Sequence, residues 1–169
     1  MSTFLEWFSL QSRCRPIARS RGIPTISIIG GGTGGNLLAA RLLEGSDDGQ
    51  RLRVMLIEAR GRAGPRLRGV VREAERVARG GFLTRIRGKA RAVGRAPGER
   101  VRVVLDSGRT LDVDRAVVLT GSVAAASLDE VDVAGVHALP SEADDEALRH
   151  AVDALAAVLI DELRVSSTA

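Results

Sequence analysis

Apolar residues along this chain fall into continuous runs, helical stripes and strict alternation. Three short runs are apolar almost throughout, which predicts strands buried on both faces: TISIIG (25–30), LRVMLIEA (52–59) and AVVLTG (116–121). Between the first two runs, NLLAARLLE (36–44) places leucine and alanine at helical spacing, and GSDDGQ (45–50) supplies turn residues. These segments predict a β-α-β unit with parallel strands and a right-handed crossover.

The rest of the chain predicts two amphipathic helices and an antiparallel meander. Residues 65–81 carry apolar side chains on one stripe with arginines opposite. From Phe82 apolar and polar residues alternate, which predicts meander strands over 82–95, 100–107 and 109–114. Residues 141–165 predict a C-terminal helix that opens with a capping pattern at Ser141 and Asp144. The predicted fold class is α/β, with a parallel sheet, crossover helices, a small antiparallel β-meander and a C-terminal amphipathic helix.

Charge is distributed unevenly along the chain. Residues 51–102 hold sixteen of the 25 Lys and Arg against four acidic residues, whereas residues 103–169 hold four basic and thirteen acidic residues. A basic block favours nucleic acid when aromatic residues accompany it, and Phe82 is the one aromatic residue here. We therefore expect most of these arginines on solvated faces, partly paired with the acidic C-terminal helix, and a few facing an anionic cofactor. Nucleic acid is disfavoured as a partner.

Composition narrows the class of protein further. The sequence is 44% hydrophobic but contains no apolar run of 18 residues, so we expect no membrane association. Cys14 is the single cysteine, which excludes an intramolecular disulfide and gives no zinc set; we expect no metal and a cytoplasmic location. Residues 1–22 are rich in arginine without a secretory layout and are predicted to form a flexible tail.

The six residues GGGTGG (30–35) stand between the first predicted strand and the first predicted helix. In a G-x-G-x-x-G turn at this place, Gly30 makes the tight turn, Gly32 lets a diphosphate approach the backbone, and Gly35 lets the helix pack closely. The helix N-terminus then faces the diphosphate. Glu58 ends the second strand, where a carboxylate accepts hydrogen bonds from an adenosine ribose. The alternative is a glycine-rich turn that binds nothing.

A family resemblance rests on these residues. ISIIGGGTGGNLLAARLLE (26–44) and VMLIEARGRAG (54–64) resemble the N-terminal half of the FAD/NAD(P)-binding oxidoreductase superfamily. DSGRTLDVDRAVVLTG (106–121) is similar to the segment in which that family's meander ends in a buried strand and an A-T-G motif; Leu119 replaces the alanine, and Thr120 and Gly121 match. The resemblance covers residues 23–122 and implies a Rossmann-like FAD/NAD(P)-binding domain.

The resemblance also implies which residues hold the ADP half of a cofactor. They are Gly30, Gly31, Gly32, Thr33, Gly34, Gly35, Asn36, Glu58, Ala59, Arg60, Thr120 and Gly121. FAD is the first expectation, with NAD and NADP as alternatives, because the spacing from Ile26 to Gly121 is also close to that of the NAD(P)H domain in pyridine-nucleotide disulfide oxidoreductases. Glu58 disfavours a 2′-phosphate by charge repulsion, whereas Arg60 and Arg62 are placed to accept one.

Two departures from the family pattern bear on function. Twenty residues separate Gly61 from Phe82, where complete flavin enzymes place a substrate region, and Leu139-Pro140 stands where the family has a glycine-aspartate pair. The sequence predicts an FAD-dependent or NAD(P)-dependent oxidoreductase or its nucleotide-binding portion. Its small-molecule substrate is unknown, and a second subunit is a candidate for completing the site. The alternative is a noncatalytic, shortened relative that acts as a nucleotide-binding or protein-interaction module.

No catalytic residue is assigned from the sequence. His137 and His150 are the only histidines, and neither stands at triad spacing from a nucleophile. In flavin enzymes the cofactor carries the chemistry, so this observation decides nothing about activity. The predicted organisation is a tail over residues 1–22, a dinucleotide-binding domain with its meander over 23–122, and a linker with the C-terminal helix of the same domain over 123–169.

Overall fold

The computed structural model describes residues 23–46, 51–59, 68–77, 82–119, 136–138 and 145–167. The predicted tail over 1–22 and the capping pattern at Ser141 and Asp144 lie outside these residues. Eleven elements follow one another along the described chain: β1 (Thr25–Ile29), α1 (Thr33–Gly45), β2 (Arg53–Glu58), α2 (Arg68–Val77), β3 (Phe82–Arg87), β4 (Ala90–Ala96), β5 (Arg100–Leu105), β6 (Thr110–Val113), β7 (Arg115–Val118), β8 (Val136–Ala138) and α3 (Asp145–Ser167).

The main sheet contains five parallel strands in the order β3-β2-β1-β7-β8. Counted by position, this is the 3-2-1-4-5 order of a Rossmann-like sheet, and it confirms the predicted α/β class and the β-α-β unit. All five residues of β1 are buried, because β1 is the central strand and both faces of the sheet are covered. A strand buried on both faces needs apolar side chains at successive positions, which explains its continuous apolar run.

Successive residues of the parallel strands enter two different cores. Ile28 of β1 and Leu56 of β2 face the helices, where they pack with leucines of α1 and α3: Leu38, Leu42 and Leu159. Ile29 and Ile57 face the opposite way and pack against the antiparallel sheet formed by β4, β5 and β6. These leucines are fully buried, and burying each one contributes about 1.5–3 kcal/mol. The molecule thus has three layers: helices, parallel sheet and antiparallel sheet.

The prediction that residues 82–95 form one strand of the meander is wrong. β3 pairs in parallel with β2, from Arg53↔Phe82 to Glu58↔Arg87, and belongs to the main sheet. Gly88 follows with a φ of +155°, a conformation that favours glycine, and the chain then enters the other sheet as β4. Among the described strands β3 lies at the sheet edge, so its side chains alternate in exposure and imitate a meander strand. The remaining strands β4, β5 and β6 form the predicted antiparallel meander.

The three helices lie close to their predicted positions. Helix α1 begins at Thr33, three residues before the predicted start, because Gly34 and Gly35 form its first turn. Helix α3 packs along α1 in the same direction: Leu148 lies beside Gly34 near the start, and Ile160 lies beside Gly45 at the end. Within the described residues, no helix has the length and apolar character needed to cross a membrane.

Candidate functional site

The glycine turn lies at the carboxyl end of the central strand. The Gly30 N–H donates to the Ile57 carbonyl at 2.9 Å, and the Leu119 N–H donates to the Ile29 carbonyl at 2.8 Å, so the turn starts from a fixed point between β2 and β7. Gly30 has a φ of +128°, which side chains rarely allow. The structure therefore agrees with the prediction that Gly30 makes the tight turn. In sheets of this kind, ligands bind outside the carboxyl ends of the strands.

Two further glycines of the turn leave no room for a side chain. A Cβ atom at Gly35 would overlap the Gly30 carbonyl oxygen, so the first turn of α1 is packed directly against the backbone of the turn. A Cβ atom at Gly31 would lie 2.5 Å from Cβ and 2.7 Å from Oε2 of Glu58. Real Cβ atoms do not approach other atoms so closely, so both positions require glycine for the fold itself.

Gly32 is the exception among these glycines. Apart from Gly32 itself and its two chain neighbours, no atom of the described residues lies within 4 Å of a Cβ atom built at this position. Its φ of −73° and ψ of −167° are extended and open to any residue. Neither the packing of the described residues nor the backbone conformation therefore accounts for a glycine here.

The start of α1 beside Gly32 is also bare. Gly32 is the N-cap residue and gives no side-chain hydrogen bond, and the first turn of the helix contains no acidic residue. The first bond that closes the helix runs from the Asn36 N–H to the Gly32 carbonyl at 3.1 Å. The N–H groups before Asn36 have no acceptor within the helix, so a partial positive charge faces the open space at Gly32.

Glu58 borders the same turn from the side of β2. Its carboxylate lies against Gly31, and its side chain is 20% exposed. Oε2 of Glu58 is 3.6 Å from Nη1 of Arg85, a residue of β3 whose side chain is 25% exposed. The carboxylate is therefore held next to the turn by packing and by a partly buried ion pair.

Asn36 joins the turn to Arg85. The Asn36 side chain is fully buried, and its Nδ2 donates to the carbonyls of Gly31 at 2.9 Å and Gly32 at 3.0 Å. Its Oδ1 accepts a hydrogen bond of 2.9 Å from Nη2 of Arg85. A network of three polar side chains, Asn36, Arg85 and Glu58, therefore surrounds the glycine turn. Within the described chain, no group of three His, Cys, Asp or Glu residues is arranged to hold a metal ion.

The structure brings most of the predicted site residues together. Gly30 to Asn36 form the turn and the first turn of α1, and Glu58 and Ala59 follow at the end of β2. Arg60, Thr120 and Gly121 lie outside the described residues, as does Arg62. Of the two histidines, His150 is exposed on α3 and His137 lies in β8.

Sequence reasoning did not single out Arg85. It placed the arginines of the basic middle on solvated faces or, for a few, toward an anionic cofactor. Arg85 reaches the turn because β3 pairs in parallel with β2 and sets Arg85 opposite Leu56, on the helix-facing side. The register of β3 against β2 is the information that identifies Arg85, and it is available only after β3 has been assigned to the main sheet.

Comparison with known proteins gives matches among solved structures. No family model matches this chain, and no curated protein matches it either. The crystal structure of HlmI is 24% identical with a TM-score of 0.48, covering 63% of this chain and 37% of HlmI. An oxidoreductase from Agrobacterium tumefaciens is 20% identical with a TM-score of 0.45, covering 57% and 36%. A putative thioredoxin reductase, TrxB, from Bacillus anthracis is 11% identical with a TM-score of 0.46, covering 59% and 36%.

Solved oxidoreductases are thus among the structures to which this chain is similar, in line with the resemblance in its sequence. The matched region spans little more than a third of those chains. At these identities and TM-scores the similarity carries no argument about what the chain binds or catalyses. The proposed function rests instead on the geometry of the site: the glycine turn, the uncapped start of α1 and the polar network around them.

Proposed function

We propose that this chain binds the ADP half of a dinucleotide cofactor at the glycine turn and is an FAD-dependent or NAD(P)-dependent oxidoreductase, or the nucleotide-binding portion of one. The observation that carries the proposal is the contrast within the turn. A Cβ atom at Gly31 or Gly35 would overlap neighbouring atoms, whereas Gly32, beside an uncapped helix start, has no packing neighbour among the described residues. The partial positive charge at that helix start suits a diphosphate.

The diphosphate would accept hydrogen bonds from backbone N–H groups at the start of α1. A side chain at position 32 would project into the space that the phosphate oxygens need. Phosphate binding would therefore explain a glycine that folding does not require. The positive end of the helix dipole adds about 0.3–1 kcal/mol for an anion at an exposed helix end. Thr33 belongs to the same first turn of α1.

Glu58 is the candidate for the adenosine ribose. Its carboxylate lies against Gly31, one residue from the open position, so a nucleotide with its diphosphate at Gly32 would bring a ribose to this side of the turn. A carboxylate accepts hydrogen bonds from both ribose hydroxyls. FAD is the first candidate cofactor, with NAD and NADP as alternatives.

When bound, such a cofactor supplies hydride and electron transfer, and the protein supplies orientation and electrostatics. The residues of this chain would bind and orient the nucleotide half. We assign no residue to a catalytic step, and the small-molecule substrate and a second subunit remain part of the proposal without a residue attached to them.

A noncatalytic nucleotide-binding or interaction module is the second candidate. It is favoured by the short interval of twenty residues between Gly61 and Phe82, where complete flavin enzymes place a substrate region. Both candidates require the nucleotide site. They differ in whether bound cofactor is reduced and reoxidised in the presence of substrates, which absorbance of the flavin or nicotinamide measures directly.

The test of the proposal is thermal unfolding of the purified protein with FAD, NAD, NADP and ADP, together with its absorbance spectrum. A ligand at 100 times its Kd stabilises the folded state by about 2.7 kcal/mol, which for a chain of this size raises Tm by roughly 5–10 °C. We expect such a rise with at least one dinucleotide. No rise with any of the four ligands would contradict the proposal.

Gly32→Asp is the site variant, because it adds a negative charge to the space reserved for the phosphates. We expect at least a tenfold loss of affinity, about 1.4 kcal/mol. Gly98→Asp is the matched control: Gly98 is also open, lies in the turn between β4 and β5, and has a φ of +71° that Asp tolerates better than most residues. Equal affinity in the wild type and in Gly32→Asp would exclude the turn as the binding site.

A further inference from the structure

We infer that Arg85 and Asn36 act as a positioning pair that aims the backbone N–H groups of the glycine turn at the bound anion. Arg85 fixes the orientation of the Asn36 amide, and Asn36 fixes the peptide groups of the turn. The binding role of this pair rests on the proposed nucleotide site, whereas the hydrogen-bond geometry of the pair is independent of any ligand.

Asn36 binds the two peptide groups that follow Gly31 and Gly32. Asn36 Nδ2 holds the carbonyl oxygens of both residues, at 2.9 and 3.0 Å. Both peptide bonds are trans, so the N–H of each peptide group points away from its carbonyl. The N–H groups of Gly32 and Thr33 therefore point away from Asn36, and a Cβ atom built at Gly32 meets no packing neighbour among the described residues. Successive N–H groups that point outward in this way form an anion-binding concavity.

Asparagine suits this position because of the hydrogen-bonding groups on its side chain. Among the uncharged side chains, only an amide offers two donors and an acceptor on one short planar group. Here both donors are used by the turn and the acceptor is used by Arg85. The side chain is fully buried and water cannot reach it, so its polar atoms depend on these three hydrogen bonds. Aspartate would instead place a carboxylate against two carbonyl oxygens.

Arg85 fixes the orientation of the Asn36 amide. Its Nη2 donates to Asn36 Oδ1 at 2.9 Å, and this bond decides which way the amide faces. A flipped amide would set its NH2 group against the guanidinium and its oxygen against the two carbonyls, which is unfavourable on both sides. Arg85 is itself held by Glu58 at 3.6 Å and by Glu75 of α2 at 3.9 Å. The ribose-side acid and the diphosphate-side turn are thus connected through one arginine.

The geometric half of the inference is tested without ligand, by NMR hydrogen exchange of the Asn36 side-chain amide. In the wild type we expect both protons to be protected, because both are bonded to buried or partly buried carbonyls. In Arg85→Met the aliphatic length is kept and the donor to Oδ1 is lost, so we expect exchange to be at least about tenfold faster. Unchanged exchange in Arg85→Met would overturn the positioning pair.

Arg115→Met is the matched control for this experiment. Arg115 has a similar exposure, 21% against 25%, and its Nε binds Glu162 of α3 at 2.6 Å. It lies at the start of β7, at the opposite end of the sheet from the turn. We expect Arg115→Met to lower stability without changing exchange of the Asn36 amide. An equal acceleration in both variants would reduce Arg85 to a general contributor to stability and would overturn the inference.

The binding half is tested by the affinities of ADP and adenosine, measured by calorimetry below the unfolding temperature of each variant. We expect Arg85→Met to weaken ADP about tenfold more than adenosine, because only ADP carries a diphosphate, whereas loss of the Arg85 contact with Glu58 affects the ribose of both ligands. Arg85→Lys, which keeps the charge and one donor, should recover part of the loss. An equal loss for ADP and adenosine would contradict a role in aiming the turn. Failure of the wild type to bind ADP would overturn the proposed function and this binding role, while the exchange result would still decide the geometry.

Discussion

The C-terminal end of helix α1 is covered by Ile160 of α3, whereas Gly32 at its N-terminal end has no packing neighbour among the described residues. Gly45 lies directly under Ile160 of α3, and the Ser46 hydroxyl donates to the Leu43 carbonyl at 2.8 Å. At the other end Gly32 has no described neighbour within 4 Å of a built Cβ atom and provides no side-chain cap. The same helix therefore has one end closed by packing and one end at which Gly32 has neither a side-chain cap nor a packing neighbour among the described residues.

The difference separates the part of the glycine turn that is needed for folding from the part that the proposed nucleotide site would use. Every helix end carries backbone groups that need partners, and chains commonly supply a serine, threonine or aspartate at the N-cap. This chain supplies glycine instead and places no acid in the first turn. Even Gly34, two residues on, is covered by Leu148 at 3.4 Å from a built Cβ atom. The opening is limited to the place where the G-x-G-x-x-G motif puts a diphosphate.

The largest effect is expected from Gly35→Ala, which attacks the closed part of the turn. The added methyl group would overlap the Gly30 carbonyl oxygen, a backbone atom that cannot move without displacing β1. We expect a loss of at least about 3 kcal/mol in the free energy of unfolding, or failure to fold. Urea unfolding followed by circular dichroism measures it. Cooperative unfolding near the wild-type midpoint would show that the close packing of the turn is not as described.

A smaller effect is expected from Gly45→Ala at the closed C-terminal end. The new methyl group would overlap Cδ1 of Ile160, the end of a flexible side chain, so the neighbour is able to move. We expect a loss of about 1 kcal/mol, after the favourable helix propensity of alanine is included. The double variant Gly45→Ala/Ile160→Val, which removes the overlapping methyl, should recover most of that loss. If the two substitutions are additive, Ile160 is not what closes this end of the helix.

The smallest change in stability, with the opposite sign, is expected from Gly32→Asp. Aspartate is a favoured N-cap residue and its charge complements the helix dipole, so we expect a gain of about 0.5 kcal/mol. The same variant should lose dinucleotide binding, which separates a functional role of Gly32 from a structural one. A loss of more than about 1 kcal/mol in the ligand-free protein would mean that the position is not open.

The parts of the fold that the sequence predicted correctly are those in which one physical cause dominates. Strands β1, β2 and β7 are buried on both faces. Such burial requires apolar side chains at successive positions, and this continuous apolar pattern predicted the three strands. The glycine turn was found because its strand and helix context is specific. The structure places Gly30 in the predicted tight turn and Gly35 in the predicted close contact.

The parts that the sequence did not predict depend on pairing between distant segments. Alternation in β3 reflects an edge position in a parallel sheet, and the same alternation is typical of a meander, so the pattern alone favoured the wrong sheet. Arg85 was not identified for the same reason, because its contacts with Asn36 and Glu58 follow from the register of β3 against β2. The role of Asn36 depends on side-chain geometry that no sequence spacing expresses.

The most direct measurement compares the two ends of α1 in one experiment. In an NMR titration with ADP, we expect the amide resonances of Gly32, Thr33 and Gly34 to shift and to saturate together, because their N–H groups would bind the diphosphate. The amides of Gly45 and Ser46 at the closed end should not move. Saturation by ADP with unshifted amides at Gly32 and Thr33, or no response to ADP at any amide, would contradict the assignment of the open helix end as the nucleotide site.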